Sequence, residues 1–344
     1  MRCPYDDPPS PARMALSTAP KALVTGAAGF IGSHLCECLL ADGCQVDALD
    51  AYTSHYARAH KEMNLAGLRE HPDFRFHLRD LVGAPLDELV SEVDIVYHMA
   101  ARPGVRDSWD AFDDYAHSNM LGAKQLLDAC AIHGRRYVYA SSSSVYGNSP
   151  VLPAVEQLAL RPISPYGVTK VMAEVMAGSY ADAYGIEVVG LRYFTVYGPR
   201  QRPDMAIARF IEAAAAGEPI TVYGDGRQQR DFTYVDDIVR GTIAAGRHGV
   251  PGEVYNLASS APRPLIEVLG TLEEVLGEEL RINFVEPQVG DVRDTWGDVG
   301  KAAQRLGYGP EVTLAEGLAR QVEAAAQRRT ALLEQQPPSL GSHT

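Results

Sequence analysis

Long apolar runs are missing from this chain of 344 residues. No stretch approaches the roughly eighteen apolar residues that a membrane-crossing helix needs, so no membrane span is expected. Residues Met1–Pro20 carry Pro, Ser and Asp without the apolar run of a secretory signal, and Met14 could serve as a start. Residues 1–20 are therefore expected to be a disordered extension, and the compartment to be cytoplasmic. Cysteine is scarce and unpatterned. Cys3, Cys36, Cys38, Cys44 and Cys130 form no C-x-x-C pair and no Cys–His spacing, which argues for reduced thiols and against a metal site. Basic charge is in deficit, with 31 Lys and Arg against 44 Asp and Glu and a net charge of −13. That balance disfavours a non-specific nucleic-acid binder, because phosphate backbones want cations. A few local Arg residues would still suffice for a nucleotide diphosphate.

What is present is alternation. Strand-like runs at Lys21–Thr25, Gln45–Leu49, Phe74–Leu78, Asp94–His98, Arg136–Ala140 and Glu187–Leu191 are interleaved with helical patterns at Ile31–Leu40, Tyr115–His133 and Pro165–Tyr184. This rhythm predicts an α/β fold, a Rossmann-type doubly wound parallel sheet covered on both faces. After Tyr193 it breaks into loops and short elements. The expected division is a dinucleotide-binding domain over 21–192, a smaller C-terminal α/β substrate lobe over 193–327, and a flexible tail over 328–344.

Between the first strand and first helix lies Gly26-Ala27-Ala28-Gly29-Phe30-Ile31-Gly32. Gly26 permits a tight turn, Gly29 lets backbone N–H groups approach a pyrophosphate, and Gly32 lets the helix pack close to the sheet. The helix start adds unpaired N–H groups and a partial positive charge. Asp50 closes the second strand, where a carboxylate accepts the adenosine ribose hydroxyls and repels a 2′-phosphate, so NAD is favoured over NADP. Asp80 and Leu81, after the third strand, are placed to read the adenine.

Tyr166 and Lys170 are four residues apart, hence on one helix face. A fixed ammonium beside the phenol would favour phenolate, allowing Tyr166 to take a proton from a substrate hydroxyl while hydride leaves the carbon. The run Ser141-Ser142-Ser143-Ser144 comes after the fifth strand, where hydroxyls point into the ligand crevice. Ser142 is the expected partner of Tyr166.

Together with TGAAGFIG and SPYGVTK, the segments HMAA (98–101), SSSSVYG, LRYFTVYGPRQRPDM (191–205), YGDGRQQRDFTYVDD (223–237) and GDVRDTWGD (290–298) resemble the extended short-chain dehydrogenase/reductase family, in particular its nucleotide-sugar epimerases and dehydratases. The resemblance runs from about residue 21 to about residue 323. It implies a tightly held NAD, touched also by Phe30, Ile31, Ala100, Ala101, Asn119 and Tyr193. It implies a C-terminal lobe that clasps the nucleotide diphosphate, with Arg230 and Arg293 on the phosphates and Arg106 and Val222 among the substrate contacts. It further implies a homodimer built on the helices around Tyr115–His133 and Pro165–Tyr184.

All such enzymes begin by oxidising sugar C4, and other groups decide the fate of the keto sugar. Sugar 4,6-dehydratases carry Thr-Asp-Glu where this chain has Ser142, Ser143 and Ser144, so dehydration lacks its acid and base. UDP-glucuronate decarboxylases carry a Glu where Ser144 stands. Thr195 with downstream Arg202-Pro203-Asp204-Met205 is similar to UDP-glucuronate 4-epimerases. There, hydroxyls matching Ser143, Ser144 and Thr195, with an Arg matching Arg202, hold the sugar carboxylate. The expected activity is interconversion of UDP-glucuronate and UDP-galacturonate through a 4-keto sugar. The alternatives are a 4-epimerase of UDP-glucose or a UDP-N-acetylhexosamine, then the decarboxylase, and remotely an inactive NAD-sensing scaffold.

Overall fold

A computed structural model describes residues 19–287 and 292–334. Residues 1–18 and 335–344, most of the expected extension and tail, lie outside these, as do Gly290 and Asp291 of the last motif.

In chain order the first half gives β1 (Lys21–Thr25), α1 (Phe30–Ala41), β2 (Gln45–Asp50), α2 (Arg58–Leu65), β3 (Phe74–Leu78), α3 (Leu86–Ser91), β4 (Ile95–His98), α4 (Phe112–Tyr115), α5 (Gly122–His133), β5 (Arg136–Ser142), α6 (Pro165–Tyr184) and β6 (Val188–Tyr193). The second half gives β7 (Thr195–Tyr197), α7 (Ala206–Ala215), β8 (Ile220–Tyr223), β9 (Gln229–Arg230), β10 (Phe232–Tyr234), α8 (Val235–His248), β11 (Val254–Leu257), β12 (Arg263–Pro264), α9 (Leu265–Leu276), β13 (Ile282–Val285), α10 (Gly300–Leu306) and α11 (Leu314–Glu334).

Seven strands form one sheet in the order β11-β6-β5-β4-β1-β2-β3, and its neighbouring strands pair in parallel. Strand order reverses beside β1, which opens a crevice at the carboxyl ends of β1 and β4. Alternate residues of each strand serve opposite cores. Leu23 of β1 packs with Val96, Leu126, Leu127 and Tyr137 under α5 and α6. Val24 packs with Leu35, Leu39, Ile238 and Val239 under α1 and α8. Each such fully buried Leu or Val stabilises the fold by about 1.5–3 kcal/mol, and together they fix where the strand ends stand.

The six expected strands and the helix over 165–184 form where expected. The helix over 115–133 is one path in three pieces, because Ala116–Leu121 widens into a π-helical turn. The division at 192/193 is not a clean cut. β11 pairs with β6 to complete the sheet, and α8 lies against α1. The expected tail also begins too early. α11 continues to Glu334, and Arg328 donates to the carbonyl of His60 at 2.6 Å, so Arg328 is docked on α2.

Candidate active site

The first βα turn is shaped by steric necessity. Gly26 has φ +69°, and a Cβ there would meet the Ala100 backbone at 2.7 Å. A Cβ on Gly32 would stand 2.2 Å from the Gly26 carbonyl oxygen. The Gly29 N–H is spent on that same oxygen at 3.0 Å, and Ser33 makes the first bond of α1, to the Gly29 carbonyl. No side chain caps the helix. The N–H groups of Phe30, Ile31 and Gly32 are therefore left without helical partners, which suits a pyrophosphate. Gly29 itself shapes the turn and does not donate.

Asp50, buried at the end of β2, accepts from the Ala28 N–H at 3.2 Å and the Tyr52 N–H at 2.8 Å. Lys61 of α2, also buried, adds an ammonium at 3.0 Å. Lys61 offsets the Asp50 charge, so the preference for a ribose hydroxyl over a phosphate rests on acceptor geometry more than on net charge. Asp80 accepts from the Val82 N–H at 2.9 Å and lies 3.0 Å from His117 Nε2. Leu81 is buried beside it. After β4, Ala100 N–H donates to Thr25 Oγ1, which also bonds His98 Nδ1 at 2.8 Å.

Gly26, Gly32, Asp50, Lys61, Asp80, Leu81, Ala100 and Ala101 wall a cavity of about 420 Å³ that continues to Ser142, Ser143, Ser144, Tyr166, Lys170, Tyr193, Thr195 and Arg202. Asn119 stands behind it. Its side chain holds both the N–H and the carbonyl of Arg102 and donates to Thr169 Oγ1 at 3.0 Å, so it braces the wall. Tyr193 presents its ring, since its hydroxyl is engaged by Thr242 at 2.7 Å.

Ser164 caps α6 by accepting from the Gly167 N–H at 3.1 Å, and Pro165 occupies the first turn. That start fixes Tyr166 and, one turn on, Lys170. Lys170 donates to the Ala140 carbonyl at 2.8 Å and lies 5.9 Å from the centre of the Tyr166 ring. Burial pushes the Tyr166 phenol up, while a hydrogen bond with Ser142 and the charge of Arg202 pull it down. The net effect leaves the phenol above its ordinary value. Lys170 itself is lowered to about 8 by burial, against the raising effect of the Glu174 carboxylate. Ser142 Oγ donates to Ser144 Oγ and accepts from its N–H, both at 3.1 Å.

Thr195 opens β7, its N–H bonded to the Asp231 carbonyl at 3.0 Å. Arg202 reaches the cavity but is engaged: its Nε and Nη2 donate to the two carboxylate oxygens of Asp204 at 3.0 and 2.9 Å. His55, whose side chain is buried and lines the same cavity, sits 3.7 Å from Asp204 and 4.0 Å from Asp107. Asp204 is held well below the usual carboxylate range; burial alone would raise it, but His55 and Arg202 outweigh that.

Four expected substrate contacts are not part of this lining. Val222 packs in the core. The Arg106 guanidinium lies 4.2 Å from the centre of the Tyr223 ring, tying the loop after β4 to β8. Arg230 donates to the Arg293 carbonyl at 2.6 Å, bringing those two segments together, and the Arg293 side chain is exposed. Lys61, His55 and Asp204 were not anticipated. Lys61 and His55 carry no local pattern, but Asp204 is two residues from Arg202 and was legible as its counter-ion.

A parallel α/β sheet with a glycine turn at β1, an acidic end to β2 and a Ser–Tyr–Lys group at the crevice defines an NAD-binding short-chain dehydrogenase/reductase. The NAD dependent epimerase/dehydratase family model matches residues 22–258, and the chain belongs to that family. An uncharacterized UDP-glucose epimerase, YtcB, of Bacillus subtilis (strain 168) is 42% identical over 306 residues, covering 88% of this chain and 96% of that protein. A UDP-glucuronate 4-epimerase of Thermodesulfobacterium geofontis (strain OPF15) is 39% identical over 307 residues, covering 87% and 94%. The crystal structure of UDP-glucuronic acid 4-epimerase from Bacillus cereus, in complex with UDP-glucuronic acid and NAD, superposes with a TM-score of 0.87 at 40% identity, covering 90% of this chain and 99% of that one.

Proposed function

We propose that this chain is a UDP-glucuronate 4-epimerase that interconverts UDP-glucuronate and UDP-galacturonate. The observation that carries this is one cavity holding the Tyr166–Ser142 pair, the hydroxyls of Ser143, Ser144 and Thr195, and Arg202, with no carboxylate at 142–144. Bound NAD supplies an acceptor that takes the C4 hydride and returns it. The chain's residues do the rest. Tyr166 takes the O4 proton as the C–H bond breaks, and Ser142 shares that hydrogen bond. Lys170 holds positive charge beside the phenol. The resulting 4-keto uronate is a β-keto acid that can lose CO₂, and neutral hydroxyl donors hold its carboxylate in an orientation that resists this. Once the sugar has turned its other face, hydride and the Tyr166 proton return and the configuration at C4 is inverted.

Offering the purified enzyme UDP-glucuronate and UDP-glucose separately tests the substrate. Turnover of the uronate supports the reading; turnover of the neutral sugar alone removes it, and UDP-pentose with CO₂ favours decarboxylation. A second reading, a neutral-hexose 4-epimerase, has one observation in its favour: Arg202 is already satisfied by Asp204.

The same reading takes the protein as a cytoplasmic homodimer, in keeping with its soluble reaction partners. No helix among the described residues is long and apolar enough to cross a membrane. Val168, Met172 and Val175 make an exposed apolar stripe on α6, and Ile132 on α5 is 68% exposed. Two copies pairing through these helices would cover them, and sedimentation of the purified protein measures this directly.

A further inference from the structure

One turn beyond Lys170 on α6, Glu174 is buried against Arg192 of β6, whose Nε and Nη2 reach its two oxygens at 2.9 and 2.7 Å. The Ser141 hydroxyl donates to the same carboxylate. Arg192 continues to the Tyr146 hydroxyl at 2.8 Å and the Glu156 carbonyl at 3.0 Å, and Tyr146 donates to Asn256 at 2.7 Å. This network ties α6, β5, β6 and the turn Ser143–Tyr146 together behind the serines. A buried ion pair adds little net stability over apolar packing of the same volume, so stability alone is a weak reason for one here.

We propose that Glu174 is a positioning residue for the epimerase reaction: it clamps Ser141, and so the adjoining Ser142 hydroxyl, and presents its carboxylate charge to Lys170. Spacing supports the second part, since residues four apart on a helix are neighbours, and Glu174 is the carboxylate whose charge acts on Lys170. The other titratable groups in this neighbourhood are Tyr166 on α6, His98 on β4, Tyr139 on β5 and Tyr146, the last bonded to Arg192. None of these is a carboxylate, and Arg192, the other charge here, is a cation, so Glu174 is the group that favours the ammonium.

Burial favours neutral Lys170 and Glu174 opposes it, so removing the carboxylate lets Lys170 lose its proton at lower pH. In E174Q the alkaline limb of the kcat–pH profile should move to lower pH by about one unit, with kcat above the limb down by up to about tenfold and KM nearly unchanged. E174D, which keeps the charge, should return the limb toward its original place. Because E174Q strands a buried guanidinium and can fail to fold, E174Q/R192M is measured beside it. The readout also runs without substrate, by pH-dependent competitive acetylation of Lys170 in the NAD-loaded enzyme, followed by mass spectrometry. The proposal rests on the epimerase reading for its kinetics only; a wild type inactive on every UDP-hexose would sink that reading and leave the Lys170 titration to decide this one. A Lys170 titration and limb unmoved in both E174Q and the double variant, with losses that track folded protein alone, would overturn it.

Discussion

Arg202 and Asp204, two residues apart on one loop, form a two-pronged ion pair at the edge of the cavity, with contacts of 3.0 and 2.9 Å. The cation aimed at an anionic sugar is thus already partnered. A carboxylate entering the cavity must share Arg202 with Asp204 or draw it away. Asp204 is 39% exposed, so the pair contributes no more than about 1 kcal/mol.

Asp204→Asn should therefore tighten binding of UDP-glucuronate by up to about fivefold and leave UDP-glucose affinity unchanged, as calorimetry of the two ligands would measure. Weaker binding of UDP-glucuronate in this variant would mean that Asp204 orients Arg202 rather than competing for it.

Tyr166→Phe removes the hydroxyl that meets Ser142. The kcat should fall by about two to four orders of magnitude, the range for a lost general base, while UDP-sugar binding persists. Rapid-quench kinetics and equilibrium binding separate the two effects. Undiminished turnover would displace Tyr166 as the base.

Gly32→Ala would place a methyl 2.2 Å from the Gly26 carbonyl oxygen. Backbone cannot yield as a flexible side chain can, so α1 must shift from the sheet and its unpaired N–H groups with it. The variant should lose co-purifying NAD and melt lower, by about 1–3 °C for a cost of roughly 1–2 kcal/mol. NAD content per subunit and a melting curve check this.

Lys170 is lowered by burial from 10.5 to about 8. The unfolded chain then binds its proton more tightly, so this group destabilises the fold below about pH 8 and the cost fades as pH rises toward 10.5. Lys170→Met should be inactive yet more stable than wild type near neutral pH, with the gain shrinking as the solution becomes alkaline. Denaturant unfolding of cofactor-free protein at several pH values measures this; a variant less stable at every pH would contradict it.

Much of this site was legible because its parts lie close together in the chain. The turn Gly26–Gly32, the Tyr166–Lys170 pair and the serine run each sit on one strand end or one helical face, and local spacing determines what they present. Glu174 was equally legible, being the next step on the face of Tyr166 and Lys170. Lys61 and His55 were not, because only the packing of α2 against the end of β2 brings Lys61 to Asp50, and only tertiary packing brings the loop residue His55 to Asp204. The strand β11 escaped for a related reason: Val254–Leu257 is four residues long, and only pairing with β6 makes it a strand. Arg230 and Arg293 came from motif resemblance, and the fold joins them to each other.

At the centre of the proposed reaction, the hydrogen leaving sugar C4 returns to the same carbon on its opposite face, carried by NAD held in the cavity while Tyr166 handles only the proton. UDP-glucuronate deuterated at C4, incubated with the enzyme in ordinary water, tests this by NMR and mass analysis of the product. The predicted result is UDP-galacturonate with deuterium retained at C4. Product that has lost the label to solvent would contradict it.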